Sequence, residues 1–398
     1  MAPELAPEYA NLKVIDADSH ITEPRDLWTS RVGAKYQDLV PHVVKDANGN
    51  DTWVFNGDVR LAAGGAGSNV RTDGMKVPLN EHDITLGMPY EDIHPASYDP
   101  RERAHLLDTL GIYAQVAYAN VAGFGAERFM RLSDEALGRL IISTYNDGMA
   151  DFQRDSNERV FPMALVPFWD INAAVGEAVR AKTELGLRGI TMCSEPHSAG
   201  MPDLLDKHWD PLWEVCTDLS IPVNFHVGAT EFGREAFLKG VWPSHDRIRS
   251  IIIGASMLEM HQAQVIANLL MGDLFQRFPK VRWVVVESGI GYIPYVLERL
   301  AYQIEDARAI EGGGWLPHPQ KQFQDHMYAC FWFEDFGPRF ELEMLGFDNV
   351  LFETDFPHPT CLYPSPVEHG MRVLEKWGPE VVRKVMSENA AKLYEIPI

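Results

Sequence analysis

The feature that most constrains this chain is a regular alternation of strand-like and helix-like segments. Short β-branched runs stand at Val14–Asp18, Ala114–Ala119, Val160–Val166, Gly189–Cys193, Pro222–Val227, Val281–Glu287, Tyr328–Phe333 and Val350–Asp355. From about residue 99 the gaps between them hold amphipathic stretches at Pro100–Leu110, Asp134–Arg154, Asn172–Leu185, Pro211–Leu219, Gln262–Arg277, Ile293–Ala309, Arg339–Leu345 and Val367–Trp377. A strand that returns through a helix lies parallel to its predecessor, and eight such strands predict an α/β fold, a (β/α)8 TIM barrel, over an open sheet. The boundaries agree: Asp99-Pro100 and Asp210-Pro211 set a capping acid before a helix-starting proline, and Gly186, Gly346 and Gly378 follow helical runs.

We read residues 1–398 as one barrel domain with two departures from the alternation. Segment 21–98 is rich in Gly, Asn, Asp and Pro, includes Gly64-Gly-Ala-Gly-Ser-Asn, and is expected to be an insertion after strand 1, forming a lid or dimer arm. A second irregular stretch runs from Ala229 to Gly254. The tail, 379–398, predicts a last helix at Val381–Tyr394 packed on the outside of the barrel.

A formal charge of −22, from 57 acidic and 35 basic residues, argues against nucleic acid and anionic membranes as partners. The sequence has no apolar run of membrane-spanning length and no basic-then-apolar leader at Met1–Glu8, so a cytoplasmic location is expected. Cys193, Cys216, Cys330 and Cys361 are scattered without a CxxC pair, which argues against disulfides and thiolate zinc.

Four of the strand candidates end on metal-ligand residue types. Asp16-Ala17-Asp18-Ser19-His20 puts a carboxylate and an imidazole two residues apart, so both leave one face of a strand. His226, Glu287 and Asp355 end the fifth, sixth and eighth strands. Any one of them alone is as easily a loop cap. In a (β/α)8 barrel, however, all strand C-termini converge on one face, and five such residues there point to a metal site. Glu23 and His261 are possible extra ligands, and His358 either lines the pocket or stiffens the strand exit. Gly289-Ile-Gly291 lacks the rest of a dinucleotide loop and reads as a tight turn. Arg60, Arg71, Arg247 and Arg249 could clamp a substrate carboxylate, and Trp332 with Phe333 could form an aromatic wall.

Asp16-x-Asp18-x-His20, His226, Thr354-Asp-Phe-Pro-His358 and Met271-Gly-Asp-Leu-Phe-Gln-Arg-Phe-Pro-Lys280 together resemble the amidohydrolase superfamily. The resemblance is to the amidohydrolase-2 branch, which contains aminocarboxymuconate semialdehyde decarboxylase-like enzymes. It implies that Asp18 and His20 stand where the family carries His-x-His, that His226 is a metal ligand, and that Asp355 both binds metal and moves protons. Asp18 replaces a histidine, and Glu287 stands where relatives carry a strand-six histidine. The resulting set, Asp18, His20, His226, Glu287 and Asp355, is expected to hold one or two divalent ions, Zn, Fe or Mn. Asp355 and Glu287 are the expected catalytic groups. The implied activity is metal-dependent hydrolysis of a small cyclic, aromatic or carboxylated molecule, or related decarboxylation, by a homo-oligomer, a dimer. The alternatives are a nonheme diiron oxygenase on the same barrel and a non-catalytic scaffold.

Overall fold

The computed structural model describes residues 5–77, 88–130, 132–229, 242–311 and 318–398. Residues 78–87 of the insertion and 230–241 of the second irregular stretch lie outside the described residues. Strand β1 spans Ile15–Ile21, β5 Ala114–Ala119, β6 Val160–Pro162, β7 Ala164–Leu165, β8 Ile190–Thr191, β9 Val223–His226, β10 Trp283–Val286, β11 Met327–Phe331 and β12 Val350–Phe352. They form parallel ladders in the orders β1-β5-β6 and β7-β8-β9-β10-β11-β12. The expected third strand is thus split at Met163. Pro162 has no amide to continue a ladder, and Met163 N–H turns back to Ala117 O at 2.8 Å.

Between β12 and β1 the seam is drawn together by hydrogen bonds. Asp18 O accepts from the amides of Thr354 (3.3 Å) and Asp355 (3.0 Å), and His20 N–H donates to Phe356 O (2.6 Å). The molecule is therefore the expected TIM-barrel fold, with its eight strand positions in chain order.

The helices form where the sequence caps them. Asp99 accepts the amides of Arg101 and Glu102 at the start of Pro100–Leu110, which ends on Gly111 at φ 72°. Helix Glu135–Asp155 buries Leu137, Ile141, Ile142, Tyr145, Met149 and Phe152 at helical spacing against the strands. The expected helix over 262–277 is instead two, Met260–Met271 and Leu274–Arg277, broken at Gly272, where a Cβ would meet Leu205 at 2.3 Å. Among the described residues no helix is long and apolar enough to cross a membrane. All four cysteines are buried and free.

Within the insertion, His42–Lys45 (β2), Asp51–Phe55 (β3) and Val59–Ala63 (β4) make an antiparallel meander. Trp28 and Trp53 pack edge to face beneath it, and the Trp28 indole donates to Ile141 O on a barrel helix. Asn69 N–H donates to Pro357 O at 2.8 Å, so the Gly-rich run touches the loop after β12.

The tail differs from expectation. It is a broken helix, Gly378–Arg383, a wider π turn at Lys384–Glu388, and Asn389–Leu393. Val382, Val385 and Met386 pack in the outer layer as expected, whereas Ala390, Leu393, Tyr394 and Ile396 join the cluster of inward residues Ile15, Ala114, Val116, Val284 and Leu351. Tyr394 and Tyr118 both donate to Asn224 Oδ1, at 2.8 and 3.2 Å.

Candidate metal centre

A β-bulge in β1 sets up the site. Asp16 pairs with Gln115 and Ser19 with Ala117, so β1 spends three residues where β5 spends two. Ile15 and Ala17 face the barrel interior, and plain alternation would turn Asp18 outward. The extra residue re-aims it inward, beside His20. Asp16 takes a different part: its carboxylate accepts Thr354 N–H (2.8 Å), Thr354 Oγ1–H (2.6 Å) and Gln115 Nε2–H (2.6 Å), stapling three strands. Burial pushes its carboxyl up to about 7 despite these bonds.

All five expected ligands meet at the mouth. His20 Nε2 lies 3.3 Å from His226 Nε2, 3.6 Å from Asp18 Oδ1 and 3.8 Å from Glu287 Oε2. His226 Nε2 lies 3.5 Å from Asp18 Oδ1 and 3.3 Å from Glu287 Oε2. Four donors around one cation at bonds near 2.1 Å stand about 3.4 Å apart in a tetrahedron, the spacing seen here. Asp355 Oδ1 is 3.4 Å from His20 Nε2 and 2.8 Å from His358 Nδ1. The ligand atoms form two overlapping sets, Asp18-His20-His226-Glu287 and His20-Glu287-Asp355-His358, each able to hold a divalent ion.

The protonation states suit that purpose. His226 Nδ1 pairs with Val227 O at 2.8 Å, leaving the Nε2 lone pair for the site. Burial lowers His226 to about 3, and burial with the neighbouring His358 holds His20 well below the usual imidazole range, so both are neutral at pH 7. Burial and the charges of Glu353, Glu287 and Asp355 raise the Asp18 carboxyl. Asp18 is fully buried, yet neither carboxylate oxygen accepts a hydrogen bond. A buried acceptor pair without donors calls for a partner, and a bound cation would supply one. Burial also raises Asp355, but the charges and hydrogen bonds of His358 and His20 outweigh it and hold the carboxyl below its ordinary value.

Glu287 and Asp355 both carry left-handed backbone, at φ 48° and 59°. Such conformations cost of order 1 kcal/mol in a non-glycine residue and cluster at functional sites. Glu353 helps hold the first: its Oε2 accepts Glu287 N–H at 3.2 Å. Its carboxyl, buried inside the barrel, is raised by burial and by Asp355.

Glu353 was not among the sequence candidates, although the inward spacing 351, 353, 355 carried the signal. Phe124, whose ring lies 4.0 Å from His226 and 5.2 Å from His20, was also missed. Its only sequence mark is the pair of flanking glycines, Gly123 and Gly125.

Glu23 stands in neither ligand set: its carboxylate accepts the amides of Val121 (2.8 Å) and Ala122 (2.9 Å), capping the loop after β5. His261 sits in helix Met260–Met271 and in neither ligand set. Arg71 pairs with Asp73, and Arg249 with Asp246, on the surface. Arg60 lines a cavity of about 310 Å³ between the β3–β4 hairpin and the loops after β5 and β8, apart from the ligand set. Glu334 occupies the amides of Ile290 and Gly291, so the glycine pair is a turn held by a carboxylate. Trp332 is buried, and Phe333 is exposed against its edge.

A family model described as amidohydrolase matches residues 91–396. The chain belongs to the amidohydrolase family. A curated relative in sequence, the 2-keto-4-carboxy-3-hexenedioate hydratase of Sphingobium sp. (strain NBRC 103272 / SYK-6), is 26% identical over 131 residues, 32% of this chain and 33% of the relative. The match thus spans about a third of that relative's length.

Among solved structures, an amidohydrolase from Mycobacterium avium subsp. paratuberculosis K-10 superposes with a TM-score of 0.70 at 21% identity, covering 98% of this chain and 99% of that one. A 5-carboxyvanillate decarboxylase from Novosphingobium aromaticivorans DSM 12444, complexed with manganese and 4-hydroxy-3-methoxy-5-nitrobenzoic acid, gives 0.59 at 20% identity, covering 76% and 82%. At these identities the structural likeness is one of fold. The oxygenase alternative gains no support from these relatives.

Proposed function

We propose that this amidohydrolase-family chain is a metal-dependent enzyme that activates water against a small carboxylated, cyclic or aromatic substrate. The observation that carries the reading is the placement of His20 and His226 within 3.3–3.8 Å of each other and of Asp18 and Glu287, with an Asp18 carboxylate that has no hydrogen-bond donor. A divalent cation bound there supplies a lowered pKa for a coordinated water and polarises a substrate oxygen.

The rest is done by the chain. Asp355, held ionised, accepts the proton of the attacking water and returns it to the leaving group. Thr360 Oγ1 donates to the other Asp355 oxygen and fixes the carboxylate's rotation. Phe124 covers the two histidine rings and excludes bulk water from one side. The carboxylate-rich set suits Mn, Fe or Zn, and manganese is the first ion to test, given its presence in the decarboxylase relative. The names of both the hydratase and the decarboxylase specify small carboxylated molecules, which supports that substrate class. Decarboxylation of the same class is the second reading, favoured by the likeness to the decarboxylase. A cytoplasmic location and a homodimer belong to the proposal and are read by fractionation and sedimentation.

The test is elemental analysis of the purified chain, followed by a panel of small aromatic and unsaturated polyacids scored for water uptake and for carbon dioxide release. Bound divalent metal with chelator-sensitive turnover is expected. A metal-free chain whose turnover survives chelation would overturn the reading.

A further inference from the structure

Between the β3–β4 hairpin and the loops after β5 and β8 lies a cavity of about 310 Å³, lined by none of the residues in either ligand set. Its volume falls within the ~300–1,000 Å³ of small-molecule sites. Phe55, Leu61 and Met130 give it apolar walls, and Arg60, Glu127 and Arg128 bring charge. Burial, and then the charge of Glu127, push the Cys193 thiol in the lining up to about 12, so that part of the wall is neutral.

The charged groups differ in what they already hold. Arg128 Nη1 donates to Leu61 O and Val121 O, both at 3.1 Å, and so ties the hairpin to the loop after β5. Glu127 Oε2 accepts Gly125 N–H at 3.1 Å. Arg60, on β4, is exposed, and its side chain enters no hydrogen bond or ion pair among the described residues; its charge reaches Asp46 only at a distance. Two guanidinium groups against one carboxylate leave the lining positive, in a chain of formal charge −22. Such a cavity selects an anionic group by charge and an apolar body by contact.

The loop after β5 is the wall that this cavity shares with the barrel mouth. Phe124 lays its ring 4.0 Å from His226 and 5.2 Å from His20, while Glu127 and Arg128 of the same loop line the cavity. The loop between them is tightly held. Thr191 Oγ1 donates to Phe124 O at 2.5 Å, and a Cβ on Gly125 would come within 2.5 Å of Cys193 N. Packing this close leaves little slack, so a group pressed against Glu127 and Arg128 is felt at Phe124.

We propose that the cavity is a second ligand site, for a small organic anion with an apolar body, in which Arg60 takes the anionic group and the loop after β5 passes occupancy to Phe124 and the two histidines. The site stands apart from the metal-centre reading; only its coupling to the histidines rests on that reading. The probe is 4-fluorobenzoate, titrated into full-length protein under chelator, which leaves no metal at the mouth to bind a carboxylate, and followed by fluorine NMR and calorimetry. One equivalent is expected. Arg60→Gln should weaken it roughly 10-fold, and Ala199→Trp, which fills the cavity, should abolish it. Ser198→Phe serves if circular dichroism shows that Ala199→Trp does not fold.

Saturating probe should also alter the visible spectrum of Co²⁺-loaded wild type in a way that Ala199→Trp does not reproduce. No binding under chelator, or binding that survives both substitutions, overturns the site. Binding unaffected by Arg60→Gln alone overturns the part given to Arg60. The same spectral response in wild type and Ala199→Trp overturns the coupling. Failure to take up Co²⁺ overturns the metal-centre reading and the coupling with it, while the titration under chelator still decides the site.

Discussion

Asp18→Asn should reverse its effect on stability when metal is added. Asp18 is buried, its oxygens accept no hydrogen bond, and the charges of Glu353, Glu287 and Asp355 surround it. In metal-free protein its folded-state carboxyl is raised, while the unfolded chain ionises near about 3.9. Above that pH the unfolded state gives up its proton first. Metal-free stability therefore falls as pH rises from the unfolded value towards the raised folded one, by up to ~1.4 kcal/mol per pH unit. Asparagine carries no such proton and offers donors to the neighbouring carboxylates.

Relieving one unsatisfied buried acceptor is worth about 1–3 kcal/mol, so at pH 7 under chelator the variant is expected to be the more stable by that amount. With metal at a hundred times its dissociation constant, wild type gains about 2.7 kcal/mol, and the variant, short of a ligand, gains little. Urea unfolding followed by circular dichroism, with chelator and with MnCl₂, reads both arms. Wild type more stable than Asp18→Asn under chelator, or equal stabilisation of both by metal, would refute the reasoning.

Asp355→Asn should fold normally and lose roughly 10²–10⁴ in turnover, since it keeps shape but not the proton acceptor; stopped assays with the identified substrate check this. Glu23→Ala leaves the buried amides of Val121 and Ala122 without their acceptor. It should cost about 1–3 kcal/mol in thermal or urea unfolding without changing metal content, and a drop in metal content would make Glu23 a ligand after all. Tyr394→Phe removes a hydroxyl that reaches Asn224 Oδ1 at 2.8 Å. About 1 kcal/mol of stability should go with it, measured by the same unfolding curves.

The barrel and the meeting of five ligand-type residues were legible because both depend on regularities that survive in sequence. Strand and helix periods fix the alternation, and strand ends of a parallel barrel share one face whatever the intervening loops. The bulge was not legible, because Ala17 and Asp18 carry no mark that one residue is extra; only the pairing with β5 shows it. Glu23 could be read only as a possible ligand or a loop cap, because its partners, the amides of Val121 and Ala122, are backbone groups about a hundred residues away and leave no residue-type signal. The tail read as an outer helix because an apolar face does not say which surface it covers.

The plug formed by Ala390, Leu393, Tyr394 and Ile396 bears on the order of assembly. Its socket is made by side chains from β1, β5, β10 and β12, so it exists only after strands from both ends of the chain have come together. With Tyr394 hydrogen-bonded to Asn224 and its neighbours packed on the inward strand residues, deleting residues 390–398 should open the barrel floor and lower metal retention, read by elemental analysis, without removing a single ligand-type residue.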